Sequence, residues 1–351
     1  MTADGAVRIA NACTNPDLFW ALKGAGSCGF GVVTRLTLRT RGLPEFVGVT
    51  FGEVKANSED AFRRLIARFT EFYAERLFNP QWGESVVFGS NNILRLQLVF
   101  HDLSEAQARE TFQPFLDFIS AATSDLTVTA PMKIVAVPAR HWWDPAYLSQ
   151  NMPSLIVHDQ RHGAPAANVW YDGDGAQAGW FIHGYESAWM PALMLERDRR
   201  GQLNEMLFSA SQHWHVGLHF NKGLAGAPAD ALAAARETPM NPAVTEAFVL
   251  AIIGAGGPPA YPGMPGASPD MARARQNAAA VARAISVIRD AVPNAGSYVS
   301  EAAFFDPEWQ RRSFGGNYPR LLAIKDRYEG LFVTHHGVGS ERWSQDGFTP
   351  A

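Results

Sequence analysis

The order of hydrophobic periodicities between residues 45 and 137 is the feature that most constrains the fold. Segments with strand-like alternation are separated by two segments with apolar residues at helical spacing, each opened by a serine that is suited to cap a helix. The order β-α-β-β-α-β predicts an antiparallel sheet with helices on one face, which is an α+β fold. The predicted elements are strands at 46–54, 84–90, 92–102 and 125–137, and helices at 58–77 and 104–120.

Outside this region the pattern is less regular. Residues 138–190 are rich in Trp, Pro and Gly and are expected to be irregular, with part of the stretch lying over a site. The helix predicted at 270–292 should bury Val281, Ala282, Ile285 and Ile288. A Gly/Pro-rich loop is expected at 254–270. The remaining predictions are strands at 6–10, 29–40, 213–221, 243–254 and 296–302, and helices at 14–24, 197–211 and 317–328.

Composition bounds the class of protein. A chain of 351 residues is long enough for about two domains. Its 47% hydrophobic and 18% charged residues fit a globular core, and a formal net charge of −4 argues against nucleic acid or an anionic membrane as partner. No basic and apolar signal region and no long apolar run is found, so we expect neither a signal peptide nor a membrane span. Compartment and oligomeric state stay open.

Cysteine usage is sparse. The two cysteines, Cys13 and Cys28, exclude a disulfide-dense scaffold and a thiolate zinc site. They form either one bridge or two free thiols, and the sequence favours free thiols.

A glycine-rich stretch follows the first predicted helix, in "NPDLFWALKGAGSCGFGVVTRLTLRT" at residues 15–40. Its glycines permit positive φ and close approach of another group to the backbone. They follow a helix and precede a strand, which is not the order of a dinucleotide-binding Rossmann fingerprint. The stretch is either a helix-ending turn packed on a sheet or the edge of a cofactor site. The glycines are Gly24, Gly26, Gly29 and Gly31.

Two stretches carry a family resemblance. Residues 15–40 resemble the closing segment of the FAD-binding domain of berberine bridge enzyme-like oxidases, in the vanillyl-alcohol-oxidase (PCMH-type) flavoprotein superfamily. Near the other end, "GSYVSEAAFFDPEWQ", "GGNYPRLLAIKDRY" and "GLF" are similar to the C-terminal signature of that family. The resemblance implies the end of an FAD-binding domain at 1–42, a substrate domain with a large helix-backed antiparallel sheet at 43–303, and a C-terminal segment at 304–351 that returns to the FAD domain.

The resemblance also implies a missing part. In the family, the pyrophosphate loop and the histidine and cysteine that bind FAD covalently precede the segment matched by residues 15–40. Neither Cys13 nor Cys28 matches that cysteine, so we expect an N-terminally truncated chain without the covalent-attachment residues. The chain is then either an FAD-dependent oxidoreductase or an inactive remnant that does not bind FAD on its own.

Site residues follow from the resemblance. Tyr298 and Glu301 lie on the predicted strand that faces the flavin, with Tyr298 and Ser300 on one face and Val299 and Glu301 on the other. Ser300 and Glu301 replace an Asn-Tyr pair, so Glu301 takes the position of the catalytic base; its alternative role is a surface salt bridge. The residues expected to bind the cofactor are Gly24, Gly26, Gly29, Phe30, Gly31, Val32, Val33, Asn317 and Tyr318.

A histidine-rich segment, "HWHVGLHFN" at 213–221, presents His213, His215 and His219 on one face of a predicted strand. Strand spacing places His219 about 13 Å from His215, too far apart for a shared zinc ion, so no metal is predicted. The face is either a wall of the substrate cavity, with His219 as a proton carrier, or a set of ordinary sheet histidines.

The predicted reaction is oxidation of an alcohol, sugar or secondary metabolite by proton abstraction and hydride transfer to flavin. Its partners would be a small-molecule substrate and dioxygen or another electron acceptor. His335 and His336 in the tail are expected to form an interdomain contact.

Overall fold

A computed structural model describes residues 1–26, 29–172, 174, 179–261 and 263–328. The strands are β1 (Phe46–Ala56), β2 (Trp82–Gly89), β3 (Ile93–His101), β4 (Leu126–Pro138), β5 (Ile156–His158), β6 (Val169–Tyr171), β7 (Phe181–Pro191), β8 (Val216–His219) and β9 (Ala247–Gly257). The helices are α1 (Pro16–Leu22), α2 (Glu59–Phe72), α3 (Glu105–Ala121), α4 (Pro145–Asn151), α5 (Arg200–Ser211), α6 (Ala229–Arg236), α7 (Met271–Ala291), α8 (Trp309–Phe314) and α9 (Tyr318–Arg327).

One seven-stranded sheet organises the chain, with strand order β4-β1-β3-β2-β8-β9-β7. All of its pairings are antiparallel. The predicted β2–β3 hairpin is present, with Trp82 opposite Phe100 and Gly89 opposite Ile93. The expected α+β fold, a large antiparallel sheet backed by helices, is therefore confirmed.

The core lies between one face of the sheet and helices α2, α3, α5 and α7. Ser58 caps α2 by accepting from the amide of Ala61, and Ser104 forms a reciprocal capping box with Gln107 at α3. Several aromatic rings between the layers pack edge to face, as at Phe69 and Phe88, whose ring centroids are 6.0 Å apart.

Helix α1, near the start of the chain, packs against α9, the last helix in the described residues. Leu18 and Trp20 of α1 share a buried cluster with Leu321 and Ile324 of α9. Polar contacts to Asp17 reinforce this contact: Arg327 Nη1 pairs with it at 2.7 Å, and the Tyr328 hydroxyl donates to it at 3.0 Å. This packing brings the glycine stretch beside the residues after α7.

Several sequence predictions of local structure are wrong. Residues 6–10 and 29–40 form no strand, and in the latter Val33, Leu36 and Leu38 are exposed. A strand needs a neighbouring strand for its backbone hydrogen bonds, and no strand in the described part of the chain pairs with either segment. Conversely, β7 lies inside the stretch that was expected to be irregular.

Two other predictions fail for local reasons. The strand predicted at 213–221 shortens to β8, because a turn after α5 includes His213 and Trp214, whose indole nitrogen donates to Gly254 O at 2.9 Å. On α7, Ala282 is exposed and Ala284 is buried in its place.

Gly48 tests the packing of the sheet. A Cβ at this position of β1 would lie 2.5 Å from Val135 O and within 2.4 Å of two Phe100 ring carbons. We expect Gly48→Ala to lower the free energy of unfolding by about 1–3 kcal/mol because β3 and β4 hold both neighbours in place. Chemical denaturation measures it.

Gly42→Ala is the matched control, since a Cβ there would meet nothing within 4 Å. It should change stability by less than about 0.5 kcal/mol. Equal effects of the two alanines would contradict the packing argument.

Candidate functional site

A cleft of about 430 Å³ opens where the glycine stretch meets the sheet. Gly24 and Gly26 form one side, and Trp189, Lys222 and Tyr298 line the other. Two of the four predicted cofactor glycines, Gly24 and Gly26, therefore lie beside the predicted catalytic Tyr298, although more than 270 residues separate them in the sequence.

Close packing explains the glycines. A Cβ on Gly24 would lie 2.7 Å from Met240 Cγ, and one on Gly26 would lie 3.2 Å from Val299 Cγ1. Gly26 also has φ of 83°, a conformation that residues with a Cβ rarely adopt. Gly26 lets the stretch lie directly against the segment that carries Tyr298, and Gly24 lets it lie against Met240.

That segment is a turn and not the predicted strand. Val299–Glu301 form a 3₁₀ turn in which the Glu301 amide donates to Tyr298 O at 2.8 Å. The Tyr298 amide donates to the Ser187 hydroxyl at 3.1 Å. A side-chain oxygen therefore takes the place of the backbone carbonyl that a neighbouring strand would supply. Tyr298 and Ser300 therefore do not share one face of a strand, which corrects the sequence prediction.

Glu301 forms an ion pair with Lys222 at 2.5 Å, and both side chains are about one quarter exposed. The Lys222 ammonium also lies 5.5 Å from the centre of the Tyr298 ring, within the range of a cation–π contact. Thus one cation contacts two of the three predicted catalytic side chains, Tyr298 and Glu301, whose backbones are joined by a single turn.

The turn divides two clefts. Val299 and Ser300 line both, whereas Glu301 lines a second cleft of about 1050 Å³. The walls of this larger cleft combine aromatic rings with ionic groups. They include Trp180, Tyr185, Glu186, Arg289, Phe304 and Arg312.

His219 is the last residue of β8, three positions before Lys222. Its Nδ1 lies 3.8 Å from Glu84 Oε2. Burial lowers the pKa of His219, and the positive charge of Lys222 lowers it further, while Glu84 and Glu301 oppose both effects. The imidazole is thus electrostatically coupled to the Lys222–Glu301 pair.

Glu84 is not predicted as a site residue from the sequence, yet its carboxylate contacts both His219 and Asn221. It has φ of 60° inside β2, and its carboxylate accepts from Asn221 Nδ2 at 2.9 Å. The two residues are 137 positions apart, so no local pattern could have indicated the contact. Lys222 and Trp189 were also missed.

Buried charge marks the larger cleft. Glu186 pairs with Arg289 at 2.7 Å, and Arg312 pairs with Asp306 at 2.5 Å. Burial raises the pKa of Glu186, and the charge of Arg289 opposes that rise. Burial and the negative charge of Glu301 both raise the pKa of Tyr185.

The other predicted cofactor residues lie outside the smaller cleft. Phe30 is buried in the cluster between α1 and α9, and Val32 and Val33 are exposed. Asn317 does not cap α9 with its side chain; its Nδ2 donates to Met240 O at 2.8 Å, behind the wall of the cleft. Gly29, Gly31 and Tyr318 also do not line it.

Some predictions fall outside the described residues, namely those on Cys28, His335 and His336 and on the bridge that would involve Cys28. Cys13 is exposed. Within the described ranges, no group of three or more His, Cys, Asp or Glu residues is placed to hold a metal ion. No helix of those ranges is both long and apolar enough to cross a membrane.

Comparison with known proteins supports the family resemblance. The profile of the berberine and berberine-like family matches residues 297–339. The FAD-linked oxidoreductase ZEB1 of Gibberella zeae is 25% identical over 98% of this chain and 54% of its own length. The chain is therefore similar to berberine bridge enzyme-like proteins at residues 297–339, and to FAD-linked oxidoreductases over nearly its whole length. This confirms the resemblance that was drawn from the two ends of the sequence.

Solved structures agree on the fold. The VAO-type flavoprotein MtVAO615 of Myceliophthora thermophila has a TM-score of 0.68 with 22% identity, covering 98% of this chain and 56% of that one. Glucooligosaccharide oxidase of Acremonium strictum has a TM-score of 0.66 with 18% identity, covering 97% and 65%. The chain thus spans about half the length of the curated relatives that it matches end to end.

The charges around His219 give a test of the site that needs no ligand. Lys222→Met should raise the pKa of His219, because it removes a cation that disfavours the imidazolium. Glu84→Gln should lower that pKa further, because it removes an opposing anion. Titration of the histidine ring protons by NMR measures both shifts.

His215 is the internal control. Burial lowers its pKa as well, but neither Lys222 nor Glu84 contributes to that shift. It should titrate alike in the parent protein and both variants. A His219 pKa that stays constant in Lys222→Met would show that the two groups are not coupled.

Proposed function

We propose that this chain provides the substrate domain and the inner flavin edge of an FAD-dependent oxidoreductase that oxidises a hydroxyl-bearing substrate. The observation that supports this most directly is the Lys222–Glu301 ion pair beside Tyr298, at the junction of two clefts. The proposal divides the chain at 1–42, 43–303 and 304–351, as the family resemblance implies.

The smaller cleft suits one face of a flavin. Its volume of about 430 Å³ and its apolar side chains Leu22, Trp189 and Met240 fit a flat ring system. Gly24 and Gly26 allow the close backbone approach that such a ring needs. Lys23 and Lys222 add positive charge, which favours an electron acceptor that gains negative charge.

When bound, FAD would accept a hydride from the substrate. In this proposal the chain's own residues bind the substrate and move its proton. The Glu301 carboxylate takes the hydroxyl proton, Lys222 holds that carboxylate in position, and the Tyr298 ring borders the cleft beside them. His219, coupled to this pair through charge, would pass the proton toward solvent.

The larger cleft suits a sugar or another polyol. Trp180, Tyr185 and Phe304 supply flat apolar faces, and Glu186 and Arg289 supply hydrogen-bonding groups. Similar folds include an oxidase of glucooligosaccharides, so oligosaccharides are the first substrates to test. Aryl alcohols are the second class, because the cleft is rich in aromatic rings.

Cofactor binding is tested by spectroscopy. The purified chain, as isolated or after incubation with FAD and gel filtration, should carry a flavin absorption band near about 450 nm. A colourless protein that retains no FAD would overturn the proposal for this chain and favour the inactive remnant.

Catalysis is tested by Glu301→Gln. The variant should bind FAD like the parent but lose about 100-fold or more in the rate at which substrate bleaches the flavin band, because the amide cannot take the proton. Stopped-flow absorption with each oligosaccharide measures this rate.

Glu71→Gln is the matched control, since Glu71 lies on α2 and pairs with Arg68 on the helix side of the sheet. It should reduce flavin at the parent rate. Unchanged flavin reduction in Glu301→Gln would show that Glu301 is a structural ion-pair residue.

A further inference from the structure

A third cavity, of about 440 Å³, shares no lining residue with the two clefts above. It lies where β2 begins and β3 ends, beside the turn that follows β8. None of its lining residues is Lys, Arg, Asp or Glu. Its walls include six aromatic side chains, those of Tyr73, Phe78, Trp82, Phe100, Phe220 and Phe248. The size falls in the range of small-molecule sites.

Tyr73 is the central wall residue. Its ring stacks on Phe220 with 4.0 Å between centroids and 22° between planes, and only 4% of the residue is exposed. Burial raises the pKa of its hydroxyl, which therefore stays protonated and can donate a hydrogen bond. No hydrogen bond of this hydroxyl is found among the described residues.

The hydroxyl is not sealed in the core either. Within the described ranges, the side-chain polar atoms that are fully buried without a partner are those of Thr50 and Ser313. The Tyr73 hydroxyl, which lacks a partner but is not one of these atoms, therefore faces the cavity that its residue lines. A ligand with an acceptor oxygen would satisfy it.

Four other polar side chains of the wall each bond to another part of the protein. The bonds are Asn79 Nδ2 to Arg76 O, Gln81 Nε2 to Asp102 O, His101 Nε2 to Pro80 O and Asn221 Nδ2 to Glu84 Oε1. Among the described residues, the Trp82 indole N–H has no hydrogen-bond partner either, so it and the Tyr73 hydroxyl are the side-chain donors without a partner in this wall.

The backbone beside Tyr73 is unusual. Residues Tyr73–Leu77 form a π-helical turn at the end of α2, closed by the Phe78 amide donating to Tyr73 O at 2.9 Å. Turns of this kind are rare and occur frequently at functional sites. Here the turn is bracketed by two residues of the cavity wall.

We propose that this cavity binds an uncharged aromatic compound with a hydrogen-bond-accepting oxygen, such as an aryl ketone. The aromatic walls would stack against its ring, and the Tyr73 hydroxyl would donate to its oxygen. Apart from His101, whose Nδ1 lies 2.9 Å from Asp102 Oδ2, the wall has no side chain of an ionic type, which disfavours a charged ligand because its desolvation would go uncompensated. This inference does not depend on the proposed oxidoreductase function.

The test compares acetophenone with isopropylbenzene, which has nearly the same shape but no oxygen. Ligand-detected NMR titrations give the dissociation constants for the parent chain and Tyr73→Phe. The variant should bind acetophenone about fivefold more weakly, the loss expected for one neutral hydrogen bond, and bind isopropylbenzene as the parent does. Ala227→Leu, which fills the cavity from its loop, should weaken both.

Two controls locate the ligand. Tyr185→Phe changes a tyrosine of the larger cleft and should leave acetophenone binding unchanged. Circular dichroism melting verifies that each variant is folded. The proposal is overturned if acetophenone does not bind the parent chain, if folded Tyr73→Phe binds it equally well, or if Tyr185→Phe is the variant that weakens binding.

Discussion

Val299 packs against Gly26, and the arrangement of the site depends on this contact. It joins a stretch near the start of the chain to the turn that carries Tyr298 and Glu301. Burying a valine side chain contributes about 1.5–3 kcal/mol, and here the same cluster also includes Trp20, Phe30 and Leu321. Without this cluster the smaller cleft would lose the side formed by the glycines, while the sheet would keep its own separate core.

Contacts made by charged side chains fix the turn after β8 in position. Lys222 reaches Glu301 from the turn after β8, and Glu84 reaches Asn221 from β2, so the two contacts hold adjacent residues of one short turn. A half-buried ion pair restrains both of its partners, since each would be left with an uncompensated charge if the other moved. The positions of His219, Lys222 and Glu301 are therefore linked, and a change in one charge alters the environment of the others.

The sequence predicted the regular part of the fold well. The predicted elements between 45 and 137 are present because the hydrophobic periodicity and the helix-capping residues indicate the same structure there, as at Ser58 and Ser104. It failed at 29–40, where alternation was clear but no strand pairs with the segment, and at 296–302, where the Ser187 hydroxyl takes the amide of Tyr298. Alternation records which side chains are apolar; it does not record which strand lies beside them.

The site shows a similar division. The family resemblance predicted Gly24, Gly26, Tyr298 and Glu301 as site residues. The first three line the smaller cleft, and Glu301 lines the larger cleft beside it. The residues that it missed, Lys222 and Glu84, act through partners 79 and 137 positions away, and single-sequence motifs carry no information on such pairs.

The turn after β8 connects the candidate site to the aromatic cavity. Phe220 and Asn221 line the cavity, whereas the next residue, Lys222, lines the smaller cleft and pairs with Glu301. Three consecutive residues in a 3₁₀ turn share hydrogen-bonded backbone, so they shift together more readily than apart. A ligand stacked beside Tyr73 would press on Phe220 and therefore on the turn that carries Lys222.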